Sequence, residues 1–91
     1  ALAAMLAGGL YGIENGLELE PEQTGNAYES DKPKVPTTLR EAREAFTTST
    51  VARSLLGDEV VDHYTNMADV ELAAYDAAVT DWELRRGFER L

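Results

Sequence analysis

The chain has 91 residues, with 17 Asp and Glu against 8 Lys and Arg, a net charge of −9 and no cysteine. That length allows one small domain at most, marginal in stability by itself, and the charge repels phosphate backbones and anionic lipid headgroups over about a Debye length, which argues against nucleic acid and membrane surfaces as partners. The missing cysteines exclude a disulfide framework and a thiolate metal site, and they suit a cytoplasmic protein.

From Ala1 to about Glu14 the residues are almost all apolar or small, with Leu2, Met5, Leu6, Leu10 and Ile13 set among alanines and glycines. A helix with so little polar face is normally buried all round. Small residues at Ala3, Ala4, Ala7, Gly8 and Gly12 would let neighbouring backbones come close, although each glycine inside a helix costs about 1 kcal/mol relative to alanine. The segment is too short to span a bilayer and lacks the basic start of a signal peptide, so a core helix of a larger domain is the expectation. The pattern is already under way at Ala1, as in a piece of a longer protein. Asn15 and Gly16 suit the end of this helix.

Leu17 to Pro36 carries Pro21, Gly25, Pro33 and Pro36 among polar residues, which is loop chemistry. A loop of this length is expected to drape over a surface. Thr38 and Glu41 have the capping-box spacing, which predicts a helix from Leu39 to about Thr47 with Leu39, Ala42, Arg43 and Phe46 on one face. The hydroxyl run Thr47, Thr48, Ser49, Thr50 makes a junction, because such side chains compete for backbone partners. A second short helix, about Thr50 to Leu56, then presents Val51, Leu55 and Leu56. Gly57 reads as its stop and Asp58 as the N-cap of a long third helix.

From Asp58 to Leu91 an apolar series at Val61, Tyr64, Ala68, Leu72, Tyr75, Val79 and Trp82 advances by three or four residues, which predicts one continuous helix roughly 50 Å long lying against something. No proline interrupts it, and the first glycine after Gly57 is Gly87. Between Asp58 and Leu84 there are eight acids and no lysine or arginine, whereas Arg85, Arg86 and Arg90 gather at the end, an order that complements the helix dipole.

Few residues here could carry chemistry. Glu59 and His63 share a helical face beside Asp62, Asn66 and Asp69, but one histidine cannot supply the multi-histidine shell of a catalytic zinc site, and a solvated acidic face accounts for the same residues. No nucleophile elbow or cysteine exists to pair with His63. Gly8, Gly9 and Gly12 lie within a helix rather than between a strand and a helix, so packing explains them better than phosphate binding. Tyr75, Trp82 and Phe88 read as a packing stripe.

The sequence does resemble a known family, the C-terminal end of the glutamine synthetase catalytic domain. Ala3-Ala4-Met5-Leu6-Ala7-Gly8-Gly9-Leu10-Tyr11-Gly12-Ile13-Glu14-Asn15 is similar to that family's helix pattern A-A-x-L-x-A-G-L-x-G-I-x-N, with Gly8 departing from the usual alanine. Asn26-Ala27-Tyr28-Glu29 is similar to the loop after that helix. Val35-Pro36-Thr37-Thr38-Leu39-Arg40-Glu41-Ala42 resembles the next helix start, and the likeness continues through Leu56-Gly57-Asp58 to Tyr64. Val79-Thr80-Asp81-Trp82-Glu83 with Phe88-Glu89 resembles the branch that includes γ-glutamylpolyamine synthetase and related glutamate ligases.

The resemblance implies a parent enzyme that activates the γ-carboxylate of glutamate with ATP, assisted by Mg or Mn ions, so that ammonia or an amine displaces phosphate. The family's metal, phosphate and glutamate ligands belong to sequence before Ala1, so no catalytic, cofactor-binding or metal-binding residue is carried over. Tyr28 falls where some bacterial members have an adenylylated tyrosine. Ser30-Asp31-Lys32-Pro33 departs from their pattern, so a plain loop tyrosine is the simpler reading. The expectation is therefore an all-α fragment of an α+β parent domain: an apolar N-terminal helix, two short helices and one long C-terminal helix, inert by itself. Its role would be support and assembly, and copies would pair through Leu2, Met5, Leu6, Leu10, Ile13 and the long helix. A freestanding helical interaction module is the alternative.

Overall fold

The structure, a computed structural model, describes residues 1–90. Its elements are α1 (Leu2–Glu14), a 3-10 turn at Ala27–Glu29, α2 (Leu39–Thr47), α3 (Thr50–Leu56), α4 (Asp58–Ala77) and α5 (Asp81–Arg90), with no strand among the described residues. The all-α class and the succession of an apolar helix, two short ones and a long one agree with the reading from sequence.

Local chemistry sets most boundaries. α1 ends in a Schellman arrangement: the Leu17 N–H donates to Gly12 C=O at 3.0 Å and the Gly16 N–H to Ile13 C=O at 3.2 Å, with Gly16 at φ 58°. At the start of α2, the Thr38 hydroxyl accepts from the Glu41 N–H at 3.1 Å. The Glu41 carboxylate reaches back one residue further than the standard box and accepts from the Thr37 N–H at 3.3 Å. Ser49 caps α3 by accepting from the Ala52 N–H at 3.0 Å. The long loop holds one turn of its own, opened by Asn26 Oδ1 accepting from the Tyr28 N–H at 3.0 Å.

Two boundaries differ from expectation. Gly57, not Asp58, stands between α3 and α4: it closes one helix and opens the next at φ 89° and ψ 151°, a conformation open essentially to glycine alone, and Asp58 is the first helical residue. The predicted single helix from Asp58 to Leu91 is also interrupted. α4 stops at Ala77, Ala78 is extended at φ −79° and ψ 144°, and α5 starts anew at Asp81. The new start coincides with a second S/T-x-x-E spacing at Thr80 and Glu83, of which the glutamate half is formed. The glutamate accepts from the Thr80 N–H at 3.1 Å and also from the Thr80 hydroxyl. Apolar periodicity passed straight across this stop. Leu91 lies outside the described residues.

The packed centre is small. α2 and α3 lie on α4, and α1 meets α3. On α4 the covered positions are Val61 and Thr65, both buried, and then half-buried Ala68 and Leu72, a run in steps of four, three and four. Opposite them, α2 offers half-buried Ala42, Arg43 and Phe46, and α3 offers Ala52, Leu55 and Leu56. The expected stripe was thus right at Val61, Ala68 and Leu72 but wrong at Tyr64, Tyr75, Val79 and Trp82, which are exposed, and it omitted Thr65. The Thr65 hydroxyl oxygen is buried without a hydrogen-bond partner.

The molecule is far from spherical. Its radius of gyration is 18.7 Å and its extents are 60 × 41 × 19 Å, whereas a compact domain of this length would have a radius near 12 Å, about two thirds as large.

Candidate functional site

Arginines draw the helices together. Arg53, on α3, donates to Asp58 at 3.0 Å and Asp62 at 2.9 Å on α4, and to the Thr47 carbonyl at 2.9 Å at the end of α2. One guanidinium therefore ties three helices through its planar fork. Arg43, on α2, meets Asp69 through Nε at 2.8 Å and Nη2 at 3.2 Å, and Glu44 at 3.0 Å. Arg40, one turn earlier, grips both oxygens of Asp76 at 2.9 Å. The bond to Asp69 holds the Arg43 guanidinium above its ordinary pKa, and the bonds to Asp58 and then Asp62 do the same for Arg53.

In the structure part of the acidic column on α4 is ion-paired. Of the residues weighed as metal ligands, Asp62 and Asp69 are engaged by arginines, and His63 stands edge-on to Tyr64 with ring centroids 5.5 Å apart. Among the described residues no group of three or more His, Cys, Asp and Glu side chains converges on one point. The sequence placed Arg43 on a packed face without a partner, held Arg40 only as a member of the Val35–Ala42 motif, and gave no sign of a role for Arg53. The Arg53 pairs cross a helix boundary, so no helical spacing could have signalled them.

Tyr28 sits at the centre of the 3-10 turn, 88% exposed, with its carbonyl accepting from Lys34 Nζ at 3.2 Å. Nothing around the phenol converges on it beyond that turn. Gly8, Gly9 and Gly12 lie inside α1, and no neighbouring side chain would meet a Cβ there.

The feature with functional content is an uncovered surface. On α1 the half-buried residues are Ala7, Tyr11 and Gly12, while Leu2, Met5, Leu6, Leu10 and Ile13 are between 51% and 84% exposed. A cleft of about 430 Å³ between the start of α1 and the α2–α4 seam is lined by Ala3, Ala4, Phe46, Leu56, Val60 and Tyr64. Trp82 and Phe88 are likewise exposed on α5, with the Arg86 guanidinium 5.4 Å from the centre of the Trp82 ring. The accessible surface totals 8158 Å². A compact monomer of this size would expose only about 5,200 Å².

The arrangement is one of packing faces and ion-paired seams rather than of converging reactive groups. No described helix is long and apolar enough to cross a membrane.

The family model described as glutamine synthetase, catalytic domain, matches residues 1–87. A γ-glutamylethanolamide synthetase of Streptomyces coelicolor is 62% identical over 91 residues, the whole of this chain and 20% of the relative. A glutamate–isopropylamine ligase of a Pseudomonas species is 39% identical over 93% of this chain and 19% of its own length. A glutamine synthetase of Thermus thermophilus is 39% identical over 94% of this chain and 21% of its own. The chain spans about a fifth of the length of these relatives. With its opening helix motif, its Thr38 helix start and its Trp82 segment all inside that match, the chain belongs to the glutamine synthetase catalytic domain family.

Proposed function

We propose that this chain is the supporting and assembly segment of an ATP-dependent glutamate–amine ligase and contributes no catalytic group to it. The observation that carries this reading is the bare apolar surface. The total accessible surface, that of the polar loop included, exceeds that of a compact monomer by roughly 2,900 Å², several times the ~800 Å² that one partner gives up in a standard interface. A body much larger than a single docking patch is needed to cover it. The relatives, of which this chain spans only about a fifth, supply the kind of host in which α1 would be enclosed.

In that enzyme, working in the cytoplasm, ATP and Mg or Mn ions would serve the activation of glutamate at residues outside this chain. The residues here do not fit those groups: Asp58, Asp62, Asp69 and Asp76 are committed to arginines, and no other donor set converges among the described residues. No step of the reaction is assigned to them. Likeness to an ethanolamide synthetase and an isopropylamine ligase supports a small amine as acceptor.

The test uses the whole enzyme carrying Leu6→Glu with Leu10→Glu. A charge forced into a buried face costs several kcal/mol, so the variant is expected to lose subunit assembly and, with it, amide synthesis from glutamate, ATP and ethanolamine. A variant that assembles and turns over like the unmodified enzyme overturns the reading. So does ATP-dependent amide synthesis by the 91-residue chain alone.

A further inference from the structure

The α4–α5 junction is made of residues that do not require a break. Ala78, Val79 and Thr80 include neither proline nor glycine, and the apolar series Leu72, Tyr75, Val79, Trp82 keeps steps of three, four and three across them. The bend is held by short-range bonds alone among the described residues. The Ala78 N–H donates to the Tyr75 carbonyl at 3.1 Å, Glu83 accepts from the Thr80 N–H at 3.1 Å and from its hydroxyl, and the Leu84 N–H donates to the Thr80 carbonyl at 3.2 Å. α5 has no packing seam of the kind that joins α2 and α3 to α4. Tyr75, Val79 and Trp82 are each about two-thirds exposed, so beyond half-buried Leu72 the bent form leaves uncovered the stripe that a straight one would align.

We propose that residues 78–80 are a two-state hinge. In one state Thr80 and Glu83 cap a separate α5. In the other α4 runs unbroken into α5 as a single helix roughly 50 Å long, with Leu72, Tyr75, Val79 and Trp82 in one line. The two states exchange one set of local bonds for another. In the straight helix the N–H groups of residues 78–81 donate to carbonyls one turn back, and the Glu83 carboxylate is released to water. A surface that contacts the aligned stripe selects the straight state, whereas a free α5 keeps the cap, so the hinge sets the direction in which Trp82 and Phe88 are presented. This rests on the junction's own geometry and not on the ligase reading.

The experiment is backbone NMR of the chain, reading Cα shifts at residues 78–80 and along α5. Thr80→Val with Glu83→Met removes the box, because neither new side chain can accept from a backbone N–H, while keeping side-chain size close to the original. It is expected to move residues 78–80 to helical shifts and to leave α5 helical. Val79→Pro is expected to leave the bend as it is, because Ala78 already has the extended backbone that precedes proline. Residues 78–80 that stay extended in the double variant overturn the hinge. An α5 that loses its helical shifts together with the box overturns it equally, since fusion to α4 should preserve the helix. α4 shifts at Val61 to Leu72 provide the internal reference in every sample.

Discussion

Thr65 puts a hydroxyl where the α4 seam gives it no partner, next to the fully covered Val61 one turn earlier. An unpaired buried hydroxyl costs about 1–3 kcal/mol in proteins, so Thr65→Val is expected to stabilise the chain by about 1 kcal/mol in urea unfolding at low concentration. Val61→Ala is expected to do the reverse, by roughly 1.5–3 kcal/mol, from lost burial and the space left behind. Glu83 supplies a pH signature. The Thr80 hydroxyl, and after it backbone N–H groups, lower its pKa below the ordinary 4.5. A carboxylate depressed in the folded state contributes fully above its unfolded pKa and loses that contribution as pH falls through the lowered value. The Thr80 amide resonance should therefore titrate with a midpoint below the ordinary glutamate value; a midpoint at or above it would show that the box does not form.

Between elements, Gly57 carries the heaviest conformational demand, since it closes α3 and opens α4 at a backbone setting that side chains avoid. Gly57→Ala is expected to destabilise by about 1–3 kcal/mol in the same unfolding measurement, although nothing lies within 4 Å of the added Cβ, because the cost is in the backbone and not in a clash. The sequence was most legible where a local signal stood uncontested. Thr38 with Glu41 gave the start of α2 to the residue, and Asn15 with Gly16 gave the end of α1. The same three-residue spacing at Thr80 and Glu83 was overridden by apolar periodicity, which reports which side chains could share a face but not whether the backbone between them is continuous. Tyr64, Tyr75 and Trp82 mislead for a related reason. Their spacing shows a face meant for covering, whereas burial within this chain depends on which face of α4 the seams with α2 and α3 take, and among the described residues they cover the line of Val61, Thr65, Ala68 and Leu72. Arg53 was invisible because its partners Asp58 and Asp62 are brought to it by the turn at Gly57 and by no helical repeat.

At the scale of the molecule, one fully buried hydrophobic residue among those described and an apolar helix left in the open do not make a self-sufficient core. The proposed support role accounts for the imbalance: the chain spans about a fifth of the length of its relatives, and packing faces of this kind would rest on the remainder of such an enzyme. Leu2, Met5, Leu6, Leu10 and Ile13 would each gain about 1.5–3 kcal/mol on full burial, which in isolation only another copy can provide. Sedimentation of the purified 91-residue chain over a wide concentration range puts this to the test most directly. The account expects association that grows with concentration and is abolished by Leu6→Glu with Leu10→Glu. A single monomeric species at the highest concentration would contradict it.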